Sequence, residues 1–321
     1  MMQQLSGLLP VNKPTGMVSK DVSRWLVKRL GKLHIGHVGT LDPAASGVLP
    51  ILLGKATRLQ DQMLDLPKTY EFEITFGAET DTLDAEGKLT RELPWQHITE
   101  GMLADAIRDF VGEFEQTPPI FSAVKYKGKP LYDYARGGQA DAVPLETLKR
   151  RVAVSRFDLH TFAGNKCSFS VTCSRGTYIR VLVKDVAEKV GSCGTLTRLV
   201  RTEAAGIPVD QAFDLEAIQA AIDASPGGFA SLVVPIEKMD LGVPRWSARI
   251  PGATGRLRGG QQVAVELGEY VEGLEKRHDG DLPNSWSKPL MLLDEHGKAL
   301  GMGTVRRHES GRVLVNMKRG L

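Results

Sequence analysis

One stretch limits what this chain can become more than any other: His37-Val-Gly-Thr-Leu-Asp-Pro-Ala-Ala-Ser-Gly-Val-Leu-Pro50. It sets a single acid, Asp42, among small residues and runs directly into Val48-Leu-Pro-Ile-Leu-Leu53, which is apolar enough to be buried. Gly36, Gly39 and Gly47 open backbone shapes closed to other residues, or let a ligand approach closely. Thr40, Ala44, Ala45 and Ser46 leave room around the carboxylate. Two readings follow. Asp42 before Pro43 is an ordinary helix start, the acid as N-cap and the proline at the first helical position. Alternatively, a carboxylate on a small-residue turn above a buried segment serves as a nucleophile or general base.

At 321 residues the chain has room for two domains of roughly 100–200 residues each. No apolar run approaches the roughly 18 residues of a membrane span. The start, Met-Met-Gln-Gln-Leu-Ser-Gly, has neither the basic opening nor the apolar core of a signal peptide. Cys167, Cys173 and Cys193 are odd in number and lack a Cys-x-x-Cys pair, which argues against a disulfide framework or a zinc site and fits a reducing cytoplasm. The net charge of +3 is unevenly placed. Residues 1–60 carry eight Lys/Arg against two acids and residues 242–321 carry 13 against nine, so the middle is acidic. Basic ends of this kind suit a polyanion held at two places.

Residues 7–14 read as a short apolar strand, followed by the turn Thr15-Gly16 and a helix from Ser19, as N-cap, to Leu30, with Val22, Trp25, Leu26 and Leu30 on one face. Lys13 reads as structural. Lys68–Gly77 alternates, placing Tyr70, Phe72, Ile74 and Phe76 on one face of a strand. The acids of Glu79–Gly87 lack the spacing of a calcium loop. Thr99 caps an amphipathic helix to Val111 whose inward residues are Met102, Leu103, Ala106, Ile107, Phe110 and Val111. Phe121–Gly138 interleaves Lys125, Lys127, Lys129 and Arg136 with Tyr126, Tyr132 and Tyr134, the cations and rings of a nucleic-acid contact on a mobile segment. Val152–Leu159 and Lys166–Cys173 alternate as strands. Ser174–Arg180 leads into a helix through Val190, with Ile179, Leu182, Val183, Val186 and Val190 buried. Tyr178 and Arg180 share a face only if the backbone there is extended.

After a helix over Asp214–Ala224, a boundary falls near Asp240–Pro244. Beyond it Gly and Arg become frequent, and Leu290–Asp294, Gly301–Arg306 and Arg312–Met317 read as short strands separated by turns at Asp294–Gly297 and Glu309–Gly311. The expected organisation is residues 1–241 and a small all-β domain over 242–321.

Gly36-His-Val-Gly-Thr-Leu-Asp-Pro-Ala-Ala-Ser-Gly-Val-Leu49 closely resembles the catalytic-aspartate motif of pseudouridine synthases, specifically the bacterial tRNA pseudouridine synthase B group. Four further stretches resemble that group in the same order: Lys13-Pro…Ser19, the Lys68-x-Tyr70 strand start, Ser122-Ala-Val-Lys-Tyr…Leu-Tyr-Asp-Tyr-Ala-Arg136, and Gly176-Thr-Tyr-Ile-Arg180. Gly194–Thr202 departs from the family pattern: a histidine is missing, one residue is deleted, and Val200 stands where an arginine is expected. Leu300-Gly-Met-Gly303 and its position resemble the family's PUA-type RNA-binding domain.

The resemblance implies an α+β fold, a mixed and largely antiparallel sheet flanked by helices around an RNA cleft, plus a small C-terminal all-β, PUA-like domain. It implies isomerisation of uridine-55 in the T-arm loop of tRNA, with the base flipped into a pocket. Asp42 is then the essential aspartate, Arg180 pairs with it, Tyr70 stacks on the base, Tyr178 and Leu199 line the pocket, and His37 meets the RNA loop. No metal or other cofactor is needed, because a carboxylate suffices for covalent catalysis. The expected setting is cytoplasmic, with tRNA as partner, no membrane, no obligatory protein partner and a monomeric chain. A noncatalytic RNA-binding protein predicts no dependence on Asp42. A glycosidase would want a second acid near Asp42, and none is visible locally.

Overall fold

In the computed structural model, which describes residues 5–265, 271–272, 286–307 and 313–321, the apolar run after Asp42 is a strand at the heart of a sheet. In chain order the strands are β1 (Gly7–Lys13), β2 (Ile35–His37), β3 (Ser46–Leu53), β4 (Lys68–Phe76), β5 (Ala78–Thr80), β6 (Leu89–Glu92), β7 (Gly112–Gln116), β8 (Lys125–Tyr126) and β9 (Lys129–Pro130). They continue as β10 (Arg150–Ala163), β11 (Lys166–Cys173), β12 (Gly194–Ala204), β13 (Ile207–Pro208) and β14 (Val234–Pro235). The last are β15 (Arg245–Ser247), β16 (Val263–Val265), β17 (Val271–Glu272), β18 (Trp286–Leu293), β19 (Ala299–Arg307) and β20 (Val313–Gly320). The helices are α1 (Ser19–Leu30), α2 (Gln60–Leu64), α3 (Glu100–Arg108), α4 (Leu131–Arg136), α5 (Ile179–Lys189), α6 (Leu215–Ala224), α7 (Pro226–Ser231) and α8 (Ala253–Arg258).

The main sheet has ten strands in the order β14-β1-β3-β12-β4-β11-β10-β7, with β2 on β3 and β13 on β12. It is mixed: β3 and β12 run parallel, whereas β1–β3, β4–β12, β4–β11 and β10–β11 are antiparallel. The placement of β3 follows from its sequence. A run apolar at every position needs cover on both faces, as strands in the middle of layered folds have. Leu49, Ile51 and Leu53 pack with Val22, Leu26, Ile218 and Phe229 of α1, α6 and α7, and Leu52 packs on the opposite face with Leu8, Leu59 and Met63. Each such side chain contributes about 1.5–3 kcal/mol by leaving water.

This burial decides between the two readings of Asp42-Pro43. No helix begins there. Asp42–Ala45 is a turn closed by the Ala45 N–H on the Asp42 carbonyl at 3.1 Å, and the chain goes straight into β3. Gly47 makes that entry possible: its φ is +105°, and a Cβ there would lie 2.2 Å from the Arg201 carbonyl oxygen of β12. Gly36, by contrast, occupies ordinary strand backbone in β2.

Other local expectations shift by similar physics. Helix α1 spans Ser19–Leu30, but its N-cap is Val18. The Ser19 hydroxyl is turned inward instead and exchanges hydrogen bonds with Leu41 N–H and carbonyl, both at 2.9 Å. Thr99 does cap α3, accepting from Met102 N–H, yet Met102 and Val111 are exposed and the buried face is Leu103, Ala106 and Ile107. β4 alternates with Phe72, Ile74 and Phe76 buried, packed with Phe169 and the buried side of α5.

A second sheet of six strands follows in the order β16-β20-β19-β18-β15-β17, covered by Ala253 and Leu257 of the short helix α8, an element the sequence pattern does not reveal. The turn Asp294–Gly297 is present, with Gly297 N–H on the Asp294 carbonyl; the one read at Glu309–Gly311 lies outside the described residues. Met291, Leu293 and Met302 of this sheet share one apolar cluster with Leu8, Leu52 and Met63 of the main sheet. Reciprocal hydrogen bonds reinforce the contact: Arg58 donates to the Gly320 carbonyl at 2.9 Å, and Arg319 donates to the Arg58 carbonyl at 2.8 Å. Among the described residues, no helix is long and apolar enough to cross a membrane.

Candidate active site

The turn carrying Asp42 is fastened from below by two buried cations. Arg201, on β12, donates from Nε to the Val48 carbonyl at 2.7 Å and from Nη2 to the Gly39 carbonyl at 3.0 Å, so one guanidinium grips both ends of the 39–48 loop. Lys13, at the end of β1, donates to the carbonyls of Pro14 at 2.8 Å, Met17 at 2.7 Å and Pro43 at 3.3 Å. Both side chains are essentially inaccessible, at 1% and 0%. Burial brings the Lys13 ammonium down to about 8, with Asp42 acting in the opposite direction. Lys68, at the start of β4, is likewise lowered to about 8 by burial and then by Arg201, and donates to the carbonyls of Leu64 and Leu66.

Arg180 faces Asp42 from the first turn of α5, with Nε 2.8 Å from the carboxylate. The guanidinium is itself fixed by two loops: Nη1 donates to the Thr82 carbonyl at 2.8 Å and Nη2 to the Phe121 carbonyl at 2.9 Å. Its side chain is 5% exposed while that of Asp42 is 39% exposed, so the cation forms the wall and the acid faces open space. Asp84 stands behind the pair, 3.8 Å from Arg180 Nε and hydrogen-bonded by Thr82 Oγ1 at 2.6 Å. A second acid is therefore close in space to Asp42 although it is distant in sequence.

Asp42 opens on a cleft of about 250 Å³ whose walls include Tyr70, Tyr178, Arg180 and Leu199, with Lys68 and Arg201 also contributing to the lining. Tyr70 lies between Val171 of β11 and Arg201 of β12 in the sheet register. Burial raises its phenol above the ordinary value, against the nearby Arg201 charge. Tyr178 has extended backbone (φ −97°, ψ 110°) as N-cap of α5, whereas Ile179 and Arg180 are already helical, and Tyr178 and Arg180 both line the cleft across that change of backbone. Gln116 holds it there: its side-chain carbonyl accepts from Tyr178 N–H at 2.7 Å and its amide donates to the Tyr178 carbonyl at 3.2 Å. Burial raises the Tyr178 phenol as well. Leu199 reaches the cleft from β12, opposite Phe72 in register.

His37 is the site residue the fold places elsewhere. It ends β2 and lines a separate groove beside α1, its Nδ1 3.3 Å from Ser23 Oγ and its Nε2 3.5 Å from Thr40 Oγ1. Burial, and then Arg201, lowers its pKa, which keeps the imidazole neutral near pH 7. The 121–138 segment folds as the β8–β9 hairpin and α4 over a small core of Val124, Leu131 and Val143, with Tyr178 packed against it. Its cations sit over its own rings: Lys127 over Tyr126, Lys129 over Tyr134 at 4.6 Å, and Arg136 over Tyr132.

Sequence reading missed Arg201, Lys68, Gln116 and the placement of Asp84. Arg201 had one available signal, a cation in an otherwise strand-like run beside Leu199.

Residues 27–179 match the model of the TruB family pseudouridylate synthase (N terminal domain). The chain is similar to tRNA pseudouridine synthase B of Caldanaerobacter subterraneus subsp. tengcongensis, with 40% identity over 300 residues covering 93% of this chain and 95% of that protein. It is also 40% identical over 249 residues to tRNA pseudouridine synthase B of Lactococcus lactis subsp. lactis, covering 76% and 75% respectively. In fold it resembles a chain in the crystal structure of a Cbf5-Nop10-Gar1 complex, with a TM-score of 0.72 and 22% identity over 99% of this chain and 86% of that one.

Proposed function

The chain belongs to the TruB family of pseudouridylate synthases and is an isomerase that converts uridine to pseudouridine in RNA; from that premise we propose that it modifies uridine-55 in the T-arm loop of tRNA, with Asp42 as the essential group. The observation that carries the reading is the half-open Asp42 carboxylate 2.8 Å from the buried Arg180, in a cleft shared with Tyr70, Tyr178 and Leu199. A fixed anion beside two aromatic rings suits a flat pyrimidine. The relatives' name supports tRNA as the substrate, and the cation–ring pairs of the β8–α4 segment suit its backbone and bases.

The uridine leaves its stack to reach the cleft, as enzymes acting on a base generally require. Tyr70 and Leu199 hold the base, and Arg180 keeps Asp42 aimed at the nucleotide. With Asp42 engaged, the bond from base N1 to ribose C1′ breaks. The uracil turns while held, C5 bonds to C1′, the C5 proton leaves, and N1 gains a proton. Bonds are redistributed within one nucleotide, so the reaction balances without a redox partner or group donor. Lys13 and Arg201 hold the turn that presents the acid. The enzyme acts in the cytoplasm as a monomer, without an obligatory protein partner.

The test is pseudouridine content of an unmodified tRNA transcript incubated with wild-type protein or Asp42→Asn, with binding followed in parallel. Wild type converts the T-loop uridine, and the variant binds it without converting it. Conversion by Asp42→Asn at the wild-type rate would remove Asp42 from the chemistry, and conversion at another uridine would remove the assignment of position 55.

A further inference from the structure

The groove that holds His37 is not part of the cleft, and it is larger, at about 930 Å³. One wall is the exposed face of α1, where Lys20, Arg24 and Lys28 recur every fourth residue and therefore stand in a row, about 6 Å apart along the helix axis. Arg29 adds a fourth cation, stacked 3.8 Å over the ring of Trp25, and Asp21 is the one carboxylate, paired with Arg24 at 2.8 Å. Among the described residues, no acid lies within ion-pair distance of Lys20 or Lys28, so their charge is free to meet an outside anion. The opposite wall carries His37 and Gln60, the Gln60 amide donating to the His37 carbonyl at 3.1 Å.

Groove and cleft meet along one segment. Residues 37–42 start in the groove wall at His37 and end in the cleft at Asp42, and the His37 ring lies against Thr40, which itself lines the cleft. Anything seated with a nucleotide at Asp42 has its neighbouring backbone beside this wall. The groove floor is largely apolar, with Met17, Trp25, Val27 and Ile35 in its lining, and the row of cations along its α1 rim is the feature that fits a phosphate strand.

We propose that the α1 groove is a second RNA track, in which Lys20, Arg24 and Lys28 receive consecutive phosphates of the substrate strand that flanks the target uridine. This rests on the reading of the cleft as the uridine site. Phosphate contacts of this kind set register and affinity and carry no chemistry. Their loss therefore raises KM and leaves kcat alone.

The test compares wild type, Lys20→Gln/Lys28→Gln, the charge-keeping Lys20→Arg/Lys28→Arg, and Arg108→Gln/Lys166→Gln, which removes two exposed cations that line neither the groove nor the cleft. Each is assayed for binding to unmodified tRNA across a salt series and for initial rates of pseudouridine formation. The first variant raises KM about 2- to 30-fold, as loss of two exposed ion pairs implies. It also flattens the slope of log affinity against log salt by roughly 0.7–0.9 per lost contact. The arginine pair and the control pair behave as wild type. An unchanged slope and KM in Lys20→Gln/Lys28→Gln overturns the proposal, as does an equal effect from the control pair. Wild-type protein that binds tRNA without converting it defeats the uridine reading instead, and it does so before any variant is compared.

Discussion

Replacing Arg201 with Met tests whether the catalytic turn depends on its underside. The substitution keeps most of the side-chain volume and removes two hydrogen bonds from a charged donor, to Val48 at 2.7 Å and Gly39 at 3.0 Å. At about 1.5–3 kcal/mol for each hydrogen bond to a charged donor, the loss is about 3–6 kcal/mol. For a chain of this size that lowers the melting temperature by roughly 4–9 °C. The effect on chemistry is separate. With its ends released, the 39–48 loop holds Asp42 less accurately, and a misplacement of about 1 Å costs roughly 10²-fold in kcat. Arg201→Lys keeps the charge but not the fork, so it serves one carbonyl and recovers about half of the stability loss. Thermal unfolding and single-turnover pseudouridine formation measure the two effects independently. His37 gives a third readout: with the Arg201 charge gone, its imidazole titrates closer to the ordinary value. A Met variant with kcat within about twofold of wild type and an unmoved melting temperature would refute the clamp.

Two further outcomes follow from the packing of α5 and β3. Burial raises Asp185 on α5 to about 6 from an ordinary 3.8. The folded state then holds the extra proton between those values, so this group's contribution is full below about pH 4 and is lost as pH rises through 6. Asp185→Asn accordingly raises the melting temperature at pH 7.5 and leaves it unchanged at pH 4, and an equal gain at both would sink the assignment. Gly47→Ala places a Cβ 2.2 Å from the Arg201 carbonyl at a φ of +105°, so β3 and β12 can no longer pair. The expected result is loss of several kcal/mol, on the order of 3 or more, read as failure to accumulate folded protein.

The pairing of Asp42 with Arg180 was legible because both residues sit in recognisable motifs. The strand alternation of β4 and the inward face of α5 were legible because each period is written locally. The helix reading of Asp42-Pro43 failed for an instructive reason: the dipeptide is a good helix start in isolation, but the eight residues after it gain more from burial on both faces of a sheet. Arg201 and Lys68 also fall in stretches compared with the family, but nothing local gives either of them a role. In the chain they are cations in strands, which normally point to solvent, and their burial depends on β12 lying between β3 and β4. Asp84 is a similar case. Its turn read only as a set of acids without calcium-loop spacing, and the fold places Arg180 against it. His37 belongs to the motif, yet the direction of β2 turns it into the neighbouring groove.

Because β12 is inserted between β3 and β4, the proposed reaction centre has a birth date during synthesis. The Asp42 turn leaves the ribosome early, but the guanidinium that ties its ends comes from 153 residues beyond Val48. Until that late strand arrives, β3 and β4 are successive strands with a vacancy between them, and the turn that presents the acid lacks its grip on both ends. A nascent or truncated chain ending before Arg201 can thus carry Asp42, Tyr70 and even Arg180 and still be inert. The grip on both ends of the Asp42 turn is complete only when the gap in the sheet is closed.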